Sequence, residues 1–429
     1  MKLLKKHEAA IKRVHDDSWD FSGANTKYCT HGMHTYPAMM IPQIAKRLID
    51  EYGNDAEVML DPFMGTGTSL VEAKIHHNFK YAYGVDINPL ARLVAKVKTY
   101  PISIEKLEHS FRELRNNIDN EKLEIHFQGK KIEKPSFFNI NFWFKPEVIE
   151  DLAIIKKYIW ELQNTDIKDF YKVCFSETVR NVSNTRNREF KLYKMNEKQL
   201  EKHNPNTIQE FYKQVQKNLI SMKDLIANDK NAKIKILNED SRYKLSVPDD
   251  SVDLILTSPP YGDSLTTVAY GQFSRLSLQW LGFDYKEEVR DIDKICLGGI
   301  KTRSLEHTTK SPTLDLIINQ IAEYDNNRAK DVLSFYEDLF KCILEFKRVM
   351  KKNGILCFVV GNRTVKRINI PTDVIMVELF QSSGNYEHIK TIIRNIPSKR
   401  MPKANSPTNV KGTTVTTMNH EYIVILQIK

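Results

Sequence analysis

Cysteine is scarce in this chain, and what there is lies scattered. Five occur in 429 residues, Cys29, Cys174, Cys296, Cys342 and Cys357, with no C-x-x-C spacing among them. That excludes a cysteine zinc ribbon and argues against a disulfide framework, so reduced thiols are expected. Long apolar runs are also missing: Ile355 to Val360 is among the longest, far short of a bilayer span. The opening MKLLKKHEAAIKRVHDD turns charged before a signal-peptide core could form. His31 and His34 in THGMHTYP have no partners at ligand spacing, so no metal site is expected. Internal repeats and low-complexity tracts are absent. These absences predict a soluble, cytoplasmic protein without a membrane or metal partner.

What is present is a core and a positive charge. Hydrophobic residues make up 41% of the chain, enough to bury two or three domain-sized units. The net charge is +10 and the isoelectric point about 9.0. A surplus of that sign suits a polyanion, because Lys and Arg near phosphates release counterions.

Residues 38–51 have helical periodicity and lead into Val58-Met59-Leu60, which reads as a buried strand followed by a helix from Ser69 to His77. The pattern repeats with a strand at 81–85, an acidic end at Asp86 and a helix entered through Asn88-Pro89. Two such units in succession predict a parallel sheet. From about 99 to 230 the pattern becomes helical and charged, interrupted by the aromatic stretch FFNINFWF. Strand signals return at 233–240 and 251–261. Residues 284–325 read as an irregular excursion. A helix is expected at 331–351, closed by Lys352-Asn353-Gly354 as its C-cap. Strand ILCFVVGN, a helix at 370–383, and HIKTIIRNI with HEYIVILQIK as an antiparallel pair complete an α/β core.

Two motifs carry chemistry. DPFMGTGTS, residues 61–69, lies between a strand and a helix, where Gly65 and Gly67 allow a sharp turn close to a ligand. Asp86 closes the next strand 21 residues after Gly65, where a carboxylate can take two ribose hydroxyls. The combination fits an adenosine-containing cofactor. It is not a P-loop, since no Gly-Lys-Ser/Thr follows, and Leu70 stands where a dinucleotide fingerprint needs Gly or Ala. The second motif, LTSPPYGDS, ends an apolar strand on two prolines, which cannot continue a sheet ladder. It is either a stiff turn or a site that needs bare carbonyls beside a stacking ring.

DPFMGTGTS followed by TSPPYGD resembles the paired signatures of S-adenosylmethionine-dependent amino methyltransferases, which methylate exocyclic amines of DNA bases. The Ser-Pro-Pro-Tyr form is most often seen in cytosine-N4 members. The resemblance covers about residues 31–98, 233–283 and 331–429. It implies a Rossmann-like methyltransferase core from residues 1–98 and 233–429, with a mostly parallel seven-stranded sheet and a C-terminal antiparallel hairpin. A mainly helical insert occupies 99–232. The implied cofactor is S-adenosyl-L-methionine, with Asp61, Pro62, Phe63, Gly65, Gly67 and Thr68 around its methionine part. Asp86 would hold the ribose and Asp240 the adenine amino group. HTYPAMMIPQIAKRLI would help to close the pocket.

In the catalytic motif Ser258 Oγ and the carbonyl of Pro259 would accept the two N–H bonds of a cytosine amino group, leaving the nitrogen lone pair aimed at the methyl. Pro259 and Pro260 would hold those carbonyls rigid, and Tyr261 would stack on the extruded base. Double-stranded DNA is the expected partner, and a restriction endonuclease the functional one, which places the protein at the nucleoid. In the insert, Arg180, Arg186, Arg188 and Lys191 alternate with Ser183, Asn184, Asn187 and Phe190, as DNA contacts or as a solvated basic surface. Lys399 and Arg400 mark a second basic loop. In the family a target-recognition insert falls later in the chain, so residues 284–325 are expected to share the recognition task.

Rival readings remain. Adenine-N6 methylation uses the same geometry, more often with Asp where Ser258 stands. RNA guanine-N2 methylation would need an N-terminal RNA-binding domain, for which residues 1–35 leave no room. A non-catalytic relative would not need both motifs intact. Carbon-5 methylation of cytosine is excluded, because no cysteine follows a proline.

Overall fold

The computed structural model describes residues 11–186, 191–263, 266–396, 404–405, 415–416 and 419–429. Its centre is a sheet of eight strands: β1 (Arg13–His15), β2 (Val58–Asp61), β3 (Tyr81–Val85), β4 (Lys233–Leu237), β5 (Val252–Thr257), β6 (Met350–Val360), β7 (Tyr386–Asn395) and β8 (His420–Ile428). Their spatial order is β1-β7-β8-β6-β5-β2-β3-β4. Only β8 runs against its neighbours, antiparallel to both β6 and β7. The α/β reading holds, with one strand more than expected. The addition is β1, parallel to β7 through Arg13 and Thr391. Its basic sequence hid it: Arg13 is spent on the carboxylate of Asp373, with both hydrogen bonds at 2.9 Å.

Central strands alternate between two cores, as a pleat requires. On β5, Ile255 faces one side while Leu254 and Leu256 face the other, and Val252, beyond a register shift, lies on the side of Ile255. On β6, Leu356, Phe358 and Val360 share the first side, and Cys357 and Val359 the second. The second face is covered by α1 (Pro42–Tyr52) through Ile44, Leu48 and Ile49. The first is covered by α9 (Pro312–Tyr324), α10 (Asn326–Val349) and α11 (Thr372–Ser383). Between β2 and β3 lies α2 (Thr68–His76), and between β3 and the insert lies α3 (Pro89–Thr99).

The insert consists of α4 (Ile104–Gln128), α5 (Pro146–Glu161), α6 (Thr165–Val182) and α7 (Thr207–Asn228), with shorter turns between. Helix α6 is its axis, with Phe170, Tyr171, Cys174 and Phe175 all fully buried. Its core runs without a break into Val71 and Ile75 of α2 and Leu90 and Val94 of α3. Helix α8 (Tyr270–Leu281) joins the same cluster, where Trp280 meets Phe144 and Phe175 edge-on. The insert is therefore packed onto the sheet's helices through one shared apolar core.

Two local expectations are corrected. Residues 284–325 are not irregular throughout: 312–324 form α9, with Leu314, Ile317, Ile318 and Ile321 on one buried stripe against α10. Asn353 and Gly354 do not cap α10, which stops at Val349. The N–H groups of Asp250 and Ser251 capture the carbonyls of Arg348 and Val349, so strand pairing begins in the helix's last turn. Asn353, at φ 64, sits in the irregularity between the pairs Val252–Met350 and Leu254–Ile355. Among the described residues no helix is long and apolar enough to cross a membrane.

Gly84 on β3 lies beneath the turn that leads into α2. A Cβ there would meet Met64 Sδ, and Leu70 Cδ1 at 2.6 Å. Both side chains are buried, so neither can swing into solvent. Gly84→Ala is expected to lower the unfolding free energy by about 1–3 kcal/mol, the usual range for overpacking. Urea unfolding reads this as a lower midpoint at constant slope, and an unchanged midpoint would show that the turn can yield.

Candidate active site

Strand β2 ends on Asp61, and the chain then turns through Pro62 to Gly67 before α2 begins. Gly65 (φ 51) and Gly67 (φ 77) both lie in the left-handed region, which only glycine enters without strain. The N–H of Gly65 donates to Asp86 Oδ2 at 3.1 Å, and that of Asn88 to Asp86 Oδ1 at 2.7 Å. Burial pushes the Asp86 carboxyl up to about 7.

Asp61 is only 2% exposed and is held by donors from three elements of the site. Thr257 of β5 donates its hydroxyl to Oδ1 at 2.6 Å, and the Phe63 N–H reaches the same oxygen at 3.1 Å. Ser69, in the first turn of α2, donates to Oδ2. Burial raises this carboxyl to about 6, so it is ionised at neutral pH, with three donors around it.

Above these strand ends opens a cleft of about 930 Å³. Of the residues expected around a cofactor, Asp61, Pro62, Phe63, Gly65, Thr68, Asp86 and Asp240 line it, whereas Gly67 does not. Gly67 instead packs towards Ala95, where a Cβ would come within 3.1 Å of the alanine methyl. From the second motif, Ser258 and Pro260 line the cleft; Pro259 and Tyr261 do not.

Ser258 donates its hydroxyl hydrogen to the carbonyl of Val359 at 3.0 Å, which leaves the oxygen's lone pairs to accept. Tyr261 is anchored by its phenol, which donates to Glu421 Oε1 at 3.1 Å. Glu421 in turn pairs with Arg394 across β8 and β7. Gly262 leaves space for a guanidinium: Arg363 lies against it and binds Asp263 at 3.0 Å.

The segment beginning HTYP supplies part of the wall, whereas Tyr270 and residues 295–297 were not expected there from the sequence. Tyr36 accepts from Asn88 Nδ2 at 3.0 Å and stacks on Tyr270 with centroids 5.8 Å apart. The Tyr36–Met40 segment does line the cleft. Ile295, Cys296 and Leu297 line it too, so the 284–325 excursion builds part of its wall. Arg242 holds that wall in place: it binds Asp240 at 2.6 Å, Asp338 at 2.9 Å and the carbonyl of Ile295 at 2.7 Å. No short motif marks Arg242, whose partners Asp338 and Ile295 lie far away in sequence.

Arg180, expected at DNA phosphates, is instead buried at 8% exposure. Its guanidinium lies 3.6 Å above the Phe273 ring and donates to the Phe273 carbonyl at 3.4 Å, so it serves the junction of insert and core. Arg186 is exposed and Lys191 half-buried. Arg188, Lys399 and Arg400 lie outside the described residues. His31 and His34 are buried against Glu72 and Ser176. Among the described residues no group of His, Cys, Asp and Glu is arranged to hold a metal ion.

With the site laid out, the comparisons place it in a class. The N6/N4 DNA methylase family matches at residues 2–96 and 252–428, the two parts that carry both motifs and every strand of the sheet but β4. The Type II methyltransferase M.MvaI of Kocuria varians is 45% identical over 97% of this chain and 95% of its own length. The Type II methyltransferase M.BsoBI of Geobacillus stearothermophilus is 24% identical over 78% of this chain and 64% of its own. The Type II methyltransferase M.MjaII of Methanocaldococcus jannaschii shares 34% identity over 20% of this chain and 16% of its own. The chain belongs to the N6/N4 DNA methylase family.

Thr257→Val removes one donor from Asp61 while keeping shape. Leaving that buried oxygen short of a partner is expected to cost about 1–3 kcal/mol. The missing hydrogen bond favours the ionised carboxylate, so the variant's folded-state pKa rises above the wild type's. The deficit is therefore full above both values, shrinks as pH falls below the variant's, and levels off below about 6, where Asp61 becomes protonated in the wild type too. Chemical unfolding at pH 8 and pH 5 tests this, and a pH-independent difference would mean that Thr257 acts only by packing.

Proposed function

We propose that the chain transfers a methyl group from S-adenosyl-L-methionine to the exocyclic N4 of a cytosine turned out of double-stranded DNA. We infer that it is the modification half of a restriction–modification pair, a role supported by its likeness to Type II methyltransferases. The observation that carries the cytosine reading is Ser258: its hydroxyl lines the cleft and donates to the Val359 carbonyl, which leaves its oxygen placed to accept. An amino group held for attack needs acceptors of this kind.

The cleft fits the cofactor on its own residues. Asp86 has already received two N–H groups, yet a carboxylate offers about four acceptor sites, so ribose hydroxyls can still donate to it. At Gly65 the nearest atom to an added Cβ is Tyr36 Cε1 at 3.8 Å, so the backbone is open on the cleft side. Phe63 and Leu297 supply apolar walls and Asp240 an acceptor. When bound, the cofactor supplies a methyl group on a sulfonium, electrophilic enough to need no metal or redox partner.

The chain's own residues do the rest by orientation. A cytosine amino nitrogen is a weak nucleophile, because its lone pair is delocalised into the ring. Ser258 Oγ and the carbonyl of Pro259 accept its two N–H bonds and direct the lone pair out of the ring plane. The rigid prolines fix those acceptors before reaction. Tyr261, tethered through Glu421, offers its ring to the extruded base. The nitrogen becomes acidic once methylated, so no side chain of unusual basicity is required. Adenine-N6 transfer would use the same frame; Ser258, in place of the Asp common in that group, favours cytosine.

Ser258 and Tyr261 are expected to fail differently. Ser258→Ala should bind DNA and cofactor nearly normally yet lose about 1.5–3 kcal/mol of transition-state stabilisation, the range for a hydrogen bond to a charge-bearing group. Tyr261→Phe should keep much of the activity, while Tyr261→Ala should weaken capture of the flipped base by about 1–3 kcal/mol. Single-turnover methylation, run beside fluorescence of 2-aminopurine at the target base, separates the two. A wild-type rate for Ser258→Ala would remove the hydroxyl from the mechanism.

Cofactor binding should also depend on pH. Ribose hydroxyls prefer the ionised Asp86, whose carboxyl sits at about 7. Affinity should be full above that value and fall by up to about tenfold per pH unit below it, as the competent fraction falls. Calorimetry between pH 6 and 8 reads the trend, and Asp86→Asn should flatten it. A flat wild-type profile would place the ribose elsewhere.

A further inference from the structure

The aromatic stretch at 137–144 is not used by the cleft. Part of it is core: Phe144 is 1% exposed, and Phe137 meets Trp280 edge-on at 5.6 Å. The rest faces outward. Phe138 is 58% exposed and Phe142 45%, and Asn139 and Asn141 are exposed between them. Asn139 takes φ 61 and opens the single turn Ile140–Trp143, in which buried Ile140 serves as the anchor. One short turn thus displays two rings and two amides.

A second segment is joined to it. The strand-like bridge Thr185–Lys194 brings Tyr193 and Lys194 back beside Arg186, whose N–H donates to the Tyr193 carbonyl at 2.9 Å. Asn184 fastens the two pieces together, donating its N–H to Trp143 O at 2.7 Å and its amide to Phe142 O at 3.3 Å. Lys194 Nζ stands 4.1 Å from the centre of the Phe142 ring, and Tyr193 is 49% exposed. Rings, amides and cations therefore share one surface, a mixture that suits a polyanion with stacked bases better than an apolar protein face.

This surface lies close to the cleft. Tyr270 lines the cleft and begins α8, Phe273 is one turn further on, and Arg180 grips Phe273 from the last turn of α6. Residues 184–186 follow α6 directly.

We propose that the turn at 138–142 and residues 184–186 with 193–194 together form the base-reading surface for DNA. Asn139 and Asn141 address base edges, Phe138 and Phe142 press on bases or thymine methyls, and Arg186 and Lys194 meet phosphates. This assignment rests on the DNA-methylating reading above.

The test uses the full-length protein, unmethylated genomic DNA and S-adenosylmethionine, with modified positions mapped by single-molecule sequencing. Asn139→Gly, which tolerates the positive φ, is combined with Asn141→Ala. This variant should spread modification to sequences one base away from the wild-type site, with preference falling by about 10- to 100-fold. Arg186→Ala with Lys194→Ala should keep the sequence but lower the log–log salt slope of binding by about one for each phosphate no longer neutralised. If the asparagine variant marks the same sequence with undiminished preference, this surface does not read bases. If the wild type marks no DNA at all, the parent reading falls and takes this one with it.

Discussion

One buried carboxylate holds the two functional motifs together. Asp61 ends β2, and its oxygens are claimed by Thr257 at the end of β5, by Ser69 at the start of α2 and by the N–H of Phe63. Thr257 stands immediately before Ser258, and Ser69 lies just beyond the glycine turn. The spacing between the glycine turn and the Ser-Pro-Pro-Tyr segment is therefore set by hydrogen bonds inside the protein. Such a group is expensive to bury and useful only when fully satisfied, which ties its energetics to the precision of the site. Asp61 lines the cleft, as the resemblance implied, and its geometry also makes it the joint between the two motifs.

A second set of interactions carries that order outwards. Tyr261 reaches Glu421, Glu421 pairs with Arg394, and Arg394 Nε donates to the carbonyl of Trp19 at 2.7 Å. The antiparallel pair β7–β8 thus steadies the Ser-Pro-Pro-Tyr segment. On the opposite wall Arg242 performs a similar service, joining Asp240, α10 and the segment that bears Ile295. Neither network touches the reacting atoms in the proposed mechanism. Both restrict the positions of residues that would.

The sheet and the glycine turn were legible because their physics is local. Buried parallel strands read as apolar runs, and a turn at positive φ writes itself as glycine. Asp86 could be found by its distance from Gly65. Other features depend on partners that sequence order conceals. Arg180 looks like every other arginine in a basic stretch, and only the packing of α6 against α8 shows that its partner is Phe273. Arg242 meets Ile295 and Asp338 across 53 and 96 residues, so no window on the chain could pair them. The stripe Leu314, Ile317, Ile318 and Ile321 was readable by its period, but the polar residues before it masked the helix.

The central claim concerns the atom that receives the methyl group. DNA treated with the purified protein and S-adenosyl-L-methionine can be digested to nucleosides and the modified base identified by mass spectrometry. N4-methyldeoxycytidine is the predicted product. N6-methyldeoxyadenosine in its place, with no modified cytosine, would contradict the role assigned to Ser258.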